Sequence, residues 1–139
     1  GVDFPPVGID KGRRIASSAG AQVDWVVADL REHQPAAGGY DAVLLAYLHL
    51  PQADLRVVLG RAGQALAPGG TLVVIGHDRD NLDGGVGGPQ DAELLYTPDL
   101  ITAALTGLRI TRADRVRRPV TTADGDRHAV DTVVRAVRD

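Results

Sequence analysis

The stretch Ala65 to Asp78, ALAPGGTLVVIGHD, constrains this chain more than any other. It reads as the end of a helix, a Pro-Gly-Gly turn, an uncharged run of strand character from Thr71 to Ile75, and then His77-Asp78. Gly69 and Gly70 can take the left-handed backbone that closes a helix, and a strand without charged residues reads as buried on both faces, which points to a parallel sheet. In an open parallel sheet the residues just past a strand's carboxyl end line the ligand crevice. Gly76, His77 and Asp78 are therefore expected at its mouth.

At 139 residues the chain fits one domain, 1–139, with a moderate core. Aromatic residues make up only 4%, so that core must be built from Val, Leu, Ile and Ala. The absence of cysteine excludes disulfides and thiolate zinc sites and fits a reducing compartment. No run reads as a membrane span or a secretory signal, so the expected location is cytoplasmic, with no membrane partner. A net charge of -3 argues against general nucleic-acid binding, because phosphate backbones reward an excess of Lys and Arg.

In chain order, Gly1-Val2-Asp3 reads as the end of a strand, and an acid at a strand end followed by a helix is a recurring ribose-binding arrangement. Asp3 capping a turn is the plainer alternative. Pro5 and Pro6 fit the start of a helix to about Ala19, closed by Gly20; Gly8 and Gly12 weaken it but permit close approach to a sheet. Val23 to Ala28 is a second strand, followed by Asp29-Leu30. Tyr40 to Leu50 contains a third strand ending near Ala46 and Tyr47, with His49 just beyond, and its unbroken apolar run marks it as central. After Pro51 the spacing of Leu55, Val58, Leu59, Ala62 and Leu66 gives a helix with one apolar face. The glycine-rich segment from Arg79 to Pro89 lacks the flanking pattern of a phosphate cradle and reads as a mobile flap over the crevice. Thr97-Pro98-Asp99 starts another helix, whose stripe is Leu100, Ile101, Ala104, Leu105 and Leu108. Leu108 to Arg118 and Ala129 to Arg138 form an antiparallel hairpin joined at Asp124-Gly125.

This order of elements, carried by GVDF, VVADL, YDAVLLAYLHL and LAPGGTLVVIGHD, resembles the class I S-adenosylmethionine-dependent methyltransferases. The resemblance implies a Rossmann-like α/β three-layer sandwich, mostly parallel, with a C-terminal antiparallel hairpin, and S-adenosylmethionine as cofactor. By it, Asp3 matches the acid that binds the ribose hydroxyls, with Phe4 beside the adenine. Asp29 matches the acceptor from the adenine amino group, with Leu30 in backbone or apolar contact. Ala46 and Tyr47 match the strand end near the methyl sulfonium, and His49 and His77 face the substrate side as candidate bases toward a small-molecule methyl acceptor. Asp3, Asp29, Tyr47 and His77 are expected on a common rim.

The family carries a first strand and a glycine-rich loop ahead of the segment matching Asp3, and no such segment stands before Gly1. The expectation is a fragment with impaired cofactor binding. Because that strand lies mid-sheet, the strands beside it should either pair directly or be covered by another copy in a homodimer. Each lost backbone bond costs about 0.5 to 1.5 kcal/mol net, so a handful matters against a domain stability of roughly 5 to 15 kcal/mol.

The alternative function is a non-catalytic oligomerisation or interaction module that kept the sheet. A dinucleotide-binding oxidoreductase would use Asp3 equally well but fits the LAPGG turn and hairpin less. A zinc or manganese cluster of His49, His77, Asp78 and Asp80 has no compact ligand-spacing motif, so no metal is expected. Arg109, Arg112, Arg115, Arg117 and Arg118 fall on both faces of a strand, with Asp114, Asp124, Asp126 and Asp131 nearby, and read as solvated edge charges rather than a nucleic-acid patch.

Overall fold

The computed structural model describes residues 1–123 and 125–139, so Asp124 of the expected turn lies outside the described residues. By its contacts the chain divides into two compact units, Gly1–Gln34 and Pro35–Asp139.

In the first unit β1 (Val2–Asp3) pairs in parallel with β2 (Val26–Val27), in the register Val2↔Val26 and Asp3↔Val27. The second strand is shorter than VDWVVA suggests. Only Val26 and Val27 have ladder partners. Helix α1 (Pro6–Ser18) has proline at its first position, where a missing N–H costs nothing. It ends at Gly20, whose φ of 67° lets the N–H groups of Ala19, Gly20 and Ala21 turn back onto the last carbonyls. Gly12 is where close approach is needed: a Cβ there would sit 2.5 Å from the Trp25 ring.

The second unit holds a four-stranded sheet, ordered β3 (Tyr40–Ala46), β4 (Leu66–His77), β6 (Gly125–Val137) and β5 (Arg109–Thr122). β3 and β4 are parallel; β4–β6 and β6–β5 are antiparallel. The C-terminal hairpin stands as expected, with longer strands. The third strand does not have the central place its apolar run suggests: within this sheet it is an edge, and Leu44 is 65% exposed. β1 and β2 form a two-stranded sheet of their own within the first unit.

Helix α2 (Gln52–Ala65) buries the five expected positions, Leu55, Val58, Leu59, Ala62 and, at its C-cap, Leu66. It closes through extended backbone at Leu66, which already pairs with Tyr40, so the Pro-Gly-Gly segment does not cap it. Gly69, at φ 80°, instead shapes an irregularity inside β4, where the register jumps from Tyr40↔Leu66 to Ala42↔Thr71. Helix α3 (Pro98–Ala104) starts as expected, the Thr97 hydroxyl accepting from the Leu100 N–H at 3.1 Å. Both helices pack on one face, where Leu55, Leu59, Leu72, Val74, Ile101, Leu105, Val134 and Ala136 make the core. β4 is therefore fully buried on that face alone; Val73, Ile75 and His77, on the other, are half-buried.

Candidate functional site

In the first unit the expected cofactor acids stand at the same end of a parallel pair. Asp3 closes β1; its Oδ1 accepts from the Phe4 N–H at 2.8 Å. Its Oδ2 lies where a Cβ on Gly8 would come within 2.8 Å, so the bare backbone of Gly8 leaves the carboxylate its room. Phe4 is 66% exposed. Asp29 follows β2 with Leu30 half-buried beside it, but both Asp29 oxygens are taken by Arg31: Oδ1 accepts from the backbone N–H and Nε, and Oδ2 from Nη2 at 2.6 Å. These bonds hold the Asp29 carboxyl below the usual carboxylate range. As a test of fit, the acceptor at Asp3 and the aromatic face of Phe4 suit a ribose and a purine. Asp29 suits an amino donor only in exchange for Arg31.

In the second unit the carboxyl ends of β3 and β4 bring Tyr47, His49 and His77 together, as their positions in sequence suggested. The rings of His49 and His77 stack at 5.5 Å between centroids, and Tyr47 lies 5.2 Å from His77. Ala46 pairs with Ile75 in the ladder and sets this alignment. Tyr47 has a φ of 53°, the only positive value outside glycine among the described residues, and its N–H donates to the Ile75 carbonyl at 2.7 Å. Such backbone costs about 1 to 3 kcal/mol and persists where surrounding contacts over-determine it.

The residue that organises these rings is Asp131, which from sequence alone reads as one of the acids diluting the arginine group. The register His77↔Asp131 puts it beside His77, and it is 1% exposed. Its Oδ2 accepts from the Tyr47 hydroxyl at 3.0 Å and from Arg118 Nε at 2.8 Å, while Oδ1 lies 3.3 Å from His77 Nδ1. Arg118, placed among the solvated edge arginines, thus neutralises a buried carboxylate, with its Cζ 5.8 Å from the centre of the Tyr47 ring. Arg115 likewise bonds Asp78 Oδ1 at 2.9 Å. Asp78 is wholly buried and also accepts from the Thr132 hydroxyl and the Asp80 N–H, so it is a structural anchor. The acid in HAVDTVV, spaced by two from the buried Ala129, is the one sequence signal that points to Asp131.

Tautomers follow from the partners. His49 Nδ1 lies 2.7 Å from the Leu94 carbonyl, which can only accept, so Nδ1 carries a proton. Among the described residues, the buried side-chain polar atoms without a hydrogen-bond partner are His49 Nε2, His77 Nδ1 and Asp131 Oδ1, all in this cluster. Burial, chiefly, holds the His77 pKa below its ordinary value, with Asp131 opposing and His49 and Arg118 adding to the shift. Burial and then Asp131 push Tyr47 up, and burial pushes Tyr96 up. The Tyr96 hydroxyl donates to the Leu48 carbonyl, and its ring lies against Gly76, where there is no space for a Cβ. The glycine-rich segment is not a loosely hung flap. Asn81 is buried, donates to the Gly87 carbonyl and accepts from the Val130 N–H, and Val86 donates to the His128 carbonyl. Gly88 rests on His77: a Cβ there would come within 2.5 Å of Cδ2. Among the described residues no group of three or more His, Cys, Asp or Glu is placed to hold a metal ion, and no helix is long and apolar enough to cross a membrane.

Comparison with known proteins places this architecture. A family model described as a methyltransferase domain matches residues 1–70. Demethylmenaquinone methyltransferase of Thermus thermophilus is 37% identical over 75 residues, 54% of this chain. The chain spans about a third (34%) of that relative's length. A SAM-dependent methyltransferase from Methanosarcina mazei superposes with a TM-score of 0.72 at 13% identity, over 99% of this chain and 80% of that one. The N-methyltransferase NodS from Bradyrhizobium japonicum, in complex with S-adenosyl-l-homocysteine, does so with a TM-score of 0.66 at 18% identity, over 99% and 64%. At such identities these structures support the fold, while the family model crosses from the first unit into the second. With half the chain matched by that model and the Rossmann-like α/β fold shared, the chain belongs to the class I S-adenosylmethionine-dependent methyltransferase family.

Proposed function

We propose that the protein transfers a methyl group from S-adenosylmethionine to a small-molecule acceptor, with the two units as parts of one methyltransferase domain spanning 1–139. The observation that carries this reading is the cluster of Tyr47, His49, His77 and Asp131 at the carboxyl ends of β3 and β4, in a chain of this family. Asp3 and Phe4 would hold the ribose and adenine, and Asp29 with Leu30 the adenine edge once Arg31 yields. When bound, the cofactor supplies an activated methyl on a sulfonium together with its own leaving group. The chain's residues then have to align the acceptor, exclude water and take its proton. His77 is the base: its lowered pKa keeps the imidazole neutral near pH 7, and its side chain is only 12% exposed. His49 is the second candidate, stacked on it with a buried Nε2 that has no hydrogen-bond partner among the described residues. Ala46 and Tyr47 form the wall beneath the reacting centre. The relative named for demethylmenaquinone supports a small-molecule acceptor.

Calorimetry with S-adenosylhomocysteine, on this chain and on its Arg31→Ala variant, tests the reading. Weak binding is expected for the native chain, whose Asp29 is engaged by Arg31, and tighter binding for the variant. Absence of binding by both, or tighter binding of a nicotinamide dinucleotide, overturns it. A second reading, an interaction module acting through β3, is favoured by the exposure of Tyr40 and Leu44 on that edge strand. Light scattering separates the two: a homodimer that binds no cofactor supports the module, and a cofactor-binding monomer removes it.

A further inference from the structure

Asp131 is a single buried carboxylate asked to serve three donors. Tyr47 and Arg118 both use Oδ2, which leaves Oδ1 to the third. Oδ1 and His77 Nδ1 are each buried, neither makes an aligned hydrogen bond to any described group, and they stand 3.3 Å apart. Each is the partner the other lacks, and a buried acceptor or donor left unmatched costs about 1 to 3 kcal/mol. We infer that Asp131 is the positioning residue for His77: its Oδ1 holds the Nδ1–H, so Nε2 keeps the lone pair, and Tyr47 with Arg118 pins the carboxylate so that Oδ1 stays aimed at the ring. This rests on the reading of His77 as the base.

The surroundings fit that tautomer. Besides Asp131 on β6, the titratable and charged groups facing His77 are Tyr47 and His49 beyond β3 and Arg118 on β5. From the glycine-rich segment the backbone of Gly87 and Gly88 approaches the ring. Asp131 is the one acceptor among them that Nδ1–H can reach, and Arg118 balances its charge, so the carboxylate is not an uncompensated buried anion. Three elements remote in sequence therefore fix one proton on one nitrogen. An Asp131→Asn variant inverts the arrangement. Its amide oxygen is claimed by Tyr47 and Arg118, both donors, so its NH2 faces His77 and demands a lone pair on Nδ1, moving the proton to Nε2. The same logic makes a carboxylate-to-amide change disable a catalytic imidazole without disturbing the fold.

Long-range ¹⁵N–¹H correlation on the histidine-labelled chain reads this directly, with His77 assigned by the signal lost in His77→Gln. Nδ1–H with a bare Nε2 is expected for the native chain at pH 7.5, and Nε2–H in folded Asp131→Asn. A native Nε2–H tautomer, or one unchanged in the folded variant, overturns the inference. If the variant fails to fold, the native tautomer alone decides. In methyl-transfer assays Asp131→Asn is expected to lower the turnover number by roughly 10² to 10⁴-fold. A flipped tautomer with full turnover would leave the positioning role standing and remove His77 as the base.

Discussion

The acid at Asp29 and the acid at Asp131 are both bonded to arginine, and they could hardly be built more differently. Asp29 meets Arg31, two residues along, at the surface of the first unit. Asp131 meets Tyr47, His77 and Arg118, which lie 84, 54 and 13 residues away in sequence, inside the second unit. A local pair of the first kind forms wherever the turn forms and yields easily to a ligand. A long-range cluster exists only when four strands are in register, and it holds its geometry when something binds. In the proposed function Asp29 serves the cofactor and has to be exchangeable, while His77 is the base and has to be fixed.

Stability variants should grade this contrast. Leu59→Ala, at the centre of the core under the second unit's sheet, is expected to cost about 2 to 5 kcal/mol in urea unfolding at unchanged m-value. Asp131→Ala strips Tyr47 and Arg118 of their acceptor and should cost about 1 to 3 kcal/mol by the same measurement. Thr97→Ala removes one cap bond, at about 1 kcal/mol. A His77 pKa lowered on folding means that the unfolded chain binds more protons at mildly acidic pH. Its contribution is present above the unfolded value near 6.5 and is lost as pH falls through the folded one. Unfolding midpoints between pH 7 and pH 5 should therefore fall less steeply in His77→Gln than in the native chain. Asp29→Asn should leave the midpoint where it was. A cost equal to that of Asp131→Ala would break the comparison.

The same difference governs what the sequence makes legible. Helix starts and strand ends are written locally, so Thr97, the face of α2 and the placing of Tyr47, His49 and His77 at strand ends follow from spacing and hydropathy alone. Cross-strand partners are not written locally. Asp131 and Arg118 sit within alternating strands and acquire a role only through the register His77↔Asp131 and the turn of the hairpin, which no residue near them announces. The edge position of β3 was hidden for a related reason: an apolar run tells what a strand needs covered, not whether a neighbour covers it. The flap reading failed at Asn81, whose side chain ties the loop to β6 through two backbone groups.

The proposed division between an exchangeable cofactor end and a fixed catalytic end is tested most directly by titrating the protein with S-adenosylhomocysteine in two variants. Asp3→Ala should weaken binding by about ten-fold or more, the loss of a charged acceptor worth about 1.4 kcal/mol, while Asp131→Asn should stay within about two-fold of the native affinity. Native affinity in Asp3→Ala together with a ten-fold loss in Asp131→Asn would contradict the account.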